Sequence, residues 1–182
     1  VWRKAGWRVH ALEKFGHDCL YPFFYAAIET EAFGGDVRYV DDGPPNAGAP
    51  LVSDVDEIGH LVPPVVRDTP CLVKVLECER LLKASVGDRV PIIGVVMSPF
   101  SMPVMQLGFE RYLDLMYERR DLFDRLMRVN EHFCVEWANA QLAAGATAIC
   151  YFDPVSSPTI IPPALYRELG QPVAMRTLAR VK

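Results

Sequence analysis

VPIIGVVM, residues 90–97, is apolar throughout and rich in β-branched side chains. A strand with no polar position has no face to present to water, so it is buried on both sides, as in a parallel sheet covered by helices. Gly87-Asp88 turns the chain into this strand, and a loop at 98–103 follows it. Further along, ATAICYF at 146–152 repeats the pattern after Gly145 and runs into Asp153-Pro154. Further back, DCLYPFF at 18–24 is a shorter apolar run that reads as a third buried strand.

Helices fill the intervals. Leu72, Val75, Leu76, Leu81 and Leu82 mark an amphipathic helix over 71–84. Two more follow at 107–119 and 122–144, the second carrying Leu126, Val129, Phe133, Trp137 and Leu142. Residues 5–15 read as a helix end closed at Gly16, 26–33 as a turn or two stopped by Gly34-Gly35, and 164–169 as the start of a helix. Residues 37–40 alternate like a small strand, and 41–49 are loop by composition. A short helix over 53–58 takes Ser53 or Asp54 as its N-cap. The order strand, helix, strand, helices, strand, helix is that of a parallel α/β fold. A complete (β/α)8 TIM barrel takes about 250 residues. We therefore read 1–182 as a single domain forming part of such a barrel, its N-terminal to central portion, cut from a longer protein.

Composition narrows the function. Of 182 residues, 51% are hydrophobic and 23% charged, an ordinary globular balance. The net charge is −4 without a concentrated basic face, which argues against nucleic acid as a partner. No apolar run reaches the roughly 18 residues of a membrane span, so no membrane is expected. Val1-Trp2-Arg3-Lys4 has neither an initiator Met nor the apolar run of a signal peptide. Five cysteines, an odd number in mostly apolar surroundings, point to free thiols and a cytoplasmic setting. Trp2, Trp7 and Trp137 read as core or interface residues.

In parallel α/β folds the active site gathers at the carboxyl ends of the strands. That rule selects Tyr25, Glu29 and Glu31 after the first strand, and Ser98, Ser101 and Met105 after the second. After the third it selects Asp153, Ser156 and Ser157. Asp153 is the sharpest candidate, a lone carboxylate directly after an apolar strand. It can bind a cation, orient a ligand or act as a base, and it can equally cap the following turn. Glu29 and Glu31 lie two apart in a helical turn and cannot share a face. His17-Asp18-Cys19 and His132-Phe133-Cys134 are poor chelates, the second because helical i and i+2 diverge by roughly 200°. No metal ligand is assigned within the chain. No glycine-rich phosphate loop and no GxSxG elbow occurs.

Three segments then match one superfamily in order and spacing. They are Glu31-Ala32-Phe33-Gly34; Ser98-Pro99-Phe100-Ser101 with Leu107-Gly108-Phe109-Glu110; and Ala144-Gly145-Ala146 leading to Tyr151-Phe152-Asp153-Pro154 and Ser156-Ser157. The chain thereby resembles the uroporphyrinogen decarboxylases and cobalamin-dependent methyltransferases, a resemblance that implies a (β/α)8 barrel. Decarboxylases of this kind carry an Asp where Tyr25 falls and a Tyr near Met105, and their Arg-rich N-terminal loop has no counterpart here. The EAFG and SPFS segments are more similar to the methyltransferase branch. That branch implies a zinc-activated thiol acceptor, a corrinoid protein or free cobalamin as methyl carrier, and zinc ligands beyond Lys182. The leading expectation is therefore methyl transfer between a corrinoid and a small-molecule acceptor such as a thiol. The alternatives are a decarboxylase-like enzyme acting on a tetrapyrrole carboxylate, and a non-catalytic barrel that binds a corrinoid protein.

Overall fold

A computed structural model describes residues 2–182, with side chains from Ala5 onward. Val1 and the side chain of Trp2, expected in the core or an interface, lie outside the described residues. The chain runs α1 (Trp2–Phe15), α2 (Ile28–Ala32), β1 (Val37–Arg38), β2 (Asn46–Ala47), α3 (Pro70–Val86), β3 (Ile93–Met97). It continues α4 (Pro103–Leu107), α5 (Phe109–Glu118), α6 (Arg120–Ala144), β4 (Ala148–Phe152), α7 (Pro163–Leu165) and α8 (Gln171–Leu178). β3 and β4 pair in parallel, from Ile93 opposite Ala148 to Met97 opposite Phe152. α6 crosses between them and packs on β3, α3 and α8. Its Phe133, Cys134, Trp137, Ala138 and Ala144 meet Leu72, Val75 and Leu76 of α3 and Val96 of β3 in one buried cluster. A second cluster, centred on Phe100, Tyr112 and Phe123, lies beneath the loop that follows β3.

The expected strand over 18–24 forms only in part. Leu20 donates to the Pro91 carbonyl (2.9 Å) and accepts from the Ile93 N–H (2.8 Å), and the pairing ends there. Pro22 has no N–H to contribute to a ladder. The groups this leaves open on β3 are taken by side chains. Gln141 of α6 accepts from the Val95 N–H and donates to the Val95 carbonyl, both at 3.0 Å. Glu29 Oε1 accepts from the Met97 N–H at 3.1 Å. The close approach of α6 needs Gly94: a Cβ there would stand 2.7 Å from Gln141 Oε1 and 2.8 Å from Ile149 Cδ1.

Four further differences have local causes. The loop expected over 41–49 contains β2, which pairs with β1 in a short antiparallel hairpin; two residues of weak strand propensity give no periodicity to read. The helix expected over 107–119 is broken at Gly108, whose φ of 86° turns α4 into α5. The helix expected from 122 starts at Arg120. β4 is not buried on both faces: Ala148 and Phe152 are exposed, and among the described residues β3 alone pairs with it. Asp54 caps the short 3-10 turn Val55–His60 by accepting from the Asp56 N–H. Trp137 is buried, whereas Trp7 is 78% exposed.

Candidate active site

The carboxyl ends of β3 and β4 meet at Asp153. Ser98, directly after β3, and Ser101, one turn on, each donate a hydroxyl hydrogen bond of 2.6 Å to Asp153 Oδ1. Backbone donors hold these serines in turn: the Ser101 N–H bonds Ser98 Oγ (2.9 Å) and the Val155 N–H bonds Ser101 Oγ (3.0 Å). Ser98 and Ser101 are fully buried, and Asp153 is half-buried. Asp153 stands at the N-cap position of the turn Pro154–Ser156, yet its side chain makes no capping bond. The carboxylate is thus anchored through Oδ1, and Oδ2 accepts no hydrogen bond among the described residues. Such an arrangement can accept a proton or a hydrogen bond from a bound molecule without first reorienting. Burial pushes the phenols of Tyr112, Tyr151 and Tyr166 up, and the charge of Asp153 adds to it. Tyr112 donates to the Phe100 carbonyl at 2.6 Å, while among the described residues the buried Tyr151 hydroxyl makes no well-formed hydrogen bond.

Glu29 is 1% exposed, and its second oxygen is buried without a well-formed hydrogen bond among the described residues. Burial pushes its carboxyl up to about 7, against the pull of the Met97 N–H and of the nearby Trp137 indole, which itself makes no well-formed hydrogen bond. Glu29 thus joins α2 to the carboxyl end of β3, one residue before Ser98. Burial pushes the Cys134 thiol up, and the charges of Glu29 and Asp153 add to it.

Glu31 points elsewhere. Tyr25 and Tyr39 both donate to its Oε2, Tyr39 at 3.2 Å. These groups line a pocket of about 480 Å³ that also touches Phe24, Cys71 and Lys74. Ser156 donates its hydroxyl to the backbone carbonyl of Asp153 (2.7 Å), which fixes the turn rather than the carboxylate. Ser157 pairs with Thr159 through their hydroxyls. Met105 is half-buried in α4 and packs on the core. The strand-end rule therefore finds three groupings: Asp153 with Ser98 and Ser101, Glu29 on β3, and Tyr25 with Glu31. Tyr39, Lys74, Tyr151 and Gln141 escape it. Gln141 had a signal, since it lies four residues after Trp137 on the apolar stripe of a long helix.

Zinc does not fit these residues. Among the described residues no three His, Cys, Asp or Glu side chains gather to hold a metal ion. All five cysteines are free. Burial raises the Cys71 thiol to about 11 and shifts those of Cys78 and Cys134 the same way, which opposes the thiolate a metal requires. His132 is exposed while Cys134 is buried, so that pair diverges as its helical spacing demands.

Residues 5–182 match the family described as uroporphyrinogen decarboxylase. The methylcobamide:CoM methyltransferase of Methanosarcina barkeri is 27% identical over 128 residues, covering 70% of this chain and 37% of that protein. A uroporphyrinogen decarboxylase of an Acidovorax species is 28% identical over 178 residues, covering 94% of this chain and 46% of that protein. The solved structure of a methyltransferase from Methanosarcina mazei superposes with a TM-score of 0.90 at 19% identity, covering 98% of this chain and 53% of that one. The fold is therefore that of part of a (β/α)8 barrel, and the chain spans about half the length of these proteins or less.

Proposed function

The chain belongs to the uroporphyrinogen decarboxylase family, and from that premise we propose that the protein is an enzyme that moves a methyl group between a corrinoid and a thiol or similar small acceptor. The observation that carries this reading is the Asp153 carboxylate, clamped by Ser98 and Ser101 with one oxygen left to face a ligand. In the proposed site Oδ2 of Asp153 accepts the proton-bearing group of the acceptor and so orients the atom that receives the methyl group. Glu29, Met105 and Ser156 are proposed as substrate- or cofactor-binding positions near it, and Tyr25 and Glu31 as binding positions in the separate pocket they line. Free cobalamin or a corrinoid protein is the proposed carrier. The similarity to a methylcobamide:CoM methyltransferase supports the choice, as does Tyr25 at the place where decarboxylases carry an Asp. No step is assigned to zinc, because the residues described here do not hold it.

A second reading rests on the decarboxylases, of which the Acidovorax enzyme aligns with 94% of the chain against 70% for the Methanosarcina barkeri methyltransferase. It makes the protein a carboxy-lyase acting on a tetrapyrrole side chain. Both readings are tested on the full-length protein with methylcobalamin and a small thiol, and separately with uroporphyrinogen. Methyl transfer in the first assay, falling about 100-fold or more in Asp153→Asn with a melting temperature within about 2 °C of wild type, is the expected result. Asp153→Asn that melts much lower yet keeps its turnover would reduce Asp153 to a structural role. Carbon dioxide release from uroporphyrinogen without methyl transfer would establish the second reading instead.

A further inference from the structure

The pocket beside Tyr25 carries its own chemistry, whatever reaction the Asp153 site performs. Its volume of about 480 Å³ lies within the range of small-molecule sites. Glu31 supplies a carboxylate at its wall. Tyr25 and Tyr39 both donate to Oε2 of that carboxylate, which fixes its position and spends both phenolic protons. Burial, helped by Glu31, pushes the Tyr25 phenol up, so this donor stays protonated. Oε1 of Glu31 accepts nothing among the described residues. The remaining wall is aromatic and prolyl, with Phe24 and Pro45 among its members. Ring faces are negative, and beside a fixed carboxylate they favour a cation over an anion. Cys71 donates weakly to the Ile28 carbonyl at 3.9 Å, and burial raises its thiol to about 11, so it adds an uncharged floor.

Lys74 completes the set. Its exposed ammonium lines the same pocket and forms no ion pair among the described residues. A simple cation held by Glu31 would be repelled by Lys74. A molecule with a cationic head and a carboxylate tail satisfies both. Methylated nitrogen matches the aromatic and prolyl wall better than N–H donors, which would need acceptors beyond Oε1. We propose that Tyr25, Glu31, Tyr39 and Lys74 form a binding site for a small zwitterion bearing an alkylated ammonium group.

Calorimetric titration of the full-length protein with three probes tests this. Trimethylglycine is expected to bind with a Kd of about 1 mM, weak because Tyr39 is 69% exposed. Tetramethylammonium, lacking the carboxylate, should bind about 3-fold to 10-fold more weakly. The neutral-carbon isostere 3,3-dimethylbutanoate should not bind. Glu31→Gln should weaken trimethylglycine about 10-fold or more, and Lys74→Met should remove its advantage over tetramethylammonium. Tyr39→Leu, at an exposed position where folding is not at stake, should weaken both cations. Equal binding of the isostere, unchanged affinity in Glu31→Gln, or no saturable binding of trimethylglycine below about 50 mM would each overturn the proposal. Asp153→Asn should leave these affinities unchanged, so failure here is separable from failure of the methyl-transfer reading.

Discussion

Glu79→Met should make the protein more stable at neutral pH, by an amount that depends on pH. Glu79 sits on the buried side of α3 with Val75 and Leu82; it is 0% exposed, and among the described residues neither carboxylate oxygen has a hydrogen-bond partner. Burial pushes its carboxyl from 4.5 up to about 8, with the neighbouring Arg80 charge pulling slightly the other way. The folded state thus favours the neutral acid. Below pH 4.5 both states hold the proton and ionisation costs nothing. Between 4.5 and about 8 the unfolded chain releases the proton while the folded chain keeps it, so stability falls as pH rises. The slope is about 1.4 kcal/mol per pH unit, and the accumulated cost at pH 7 is about 3 kcal/mol. Methionine has a similar volume and no charge to desolvate. Urea denaturation of wild type and variant at pH 5.5, 6.5 and 7.5 measures the difference, other titrating groups cancelling between the two. The advantage of Glu79→Met should widen by roughly 2–3 kcal/mol across that range. An advantage that is flat with pH, or a variant less stable than wild type at pH 7.5, would refute the assignment of a buried neutral carboxyl.

Two further substitutions probe the side-chain pairing of β3. Gln141→Leu removes the partners of both Val95 backbone groups and should cost about 2–5 kcal/mol in urea denaturation, with faster hydrogen exchange at the Val95 amide; a loss under about 1 kcal/mol would show that the strand does not depend on Gln141. Gly94→Ala drives a Cβ to 2.7 Å from Gln141 Oε1 and should cost about 1–3 kcal/mol, read by the same denaturation; a neutral Gly94→Ala would mean that α6 can retreat freely.

The fold was legible where one apolar run carried its own context. The apolar run 90–97 holds the parallel strand, which forms over Ile93–Met97 while Val90 and Pro91 stay outside it, and the glycines at 87 and 145 close α3 and α6 where their positive φ requires a residue without a Cβ. The run at 18–24 misled because apolarity reports burial, not pairing. Phe23 and Phe24 pack on the core without joining a ladder, and Pro22 was the visible warning. β4 misled in the opposite sense: its composition anticipates neighbours on both sides, and only β3 is there to pair with it.

The site was legible to the level of position but not of orientation. Counting from strand ends located Asp153, Ser98 and Ser101, whose sequence separations of 52 and 55 residues hide a direct contact that only the parallel register of β3 and β4 creates. The structure bears on the capping role alone. A cap would spend its carboxylate on the N–H groups of the turn Pro154–Ser156, and no such bond forms. The carboxylate instead answers Ser98 and Ser101, since each buried hydroxyl needs a partner once water is excluded. Glu29 and Glu31 show the converse. Their spacing predicts different faces, and they do take different neighbours, but nothing in the sequence says that one replaces a missing strand partner while the other meets two tyrosines. That outcome depends on where Pro22 ends the first strand, for only then does the Met97 N–H need a side chain to answer it.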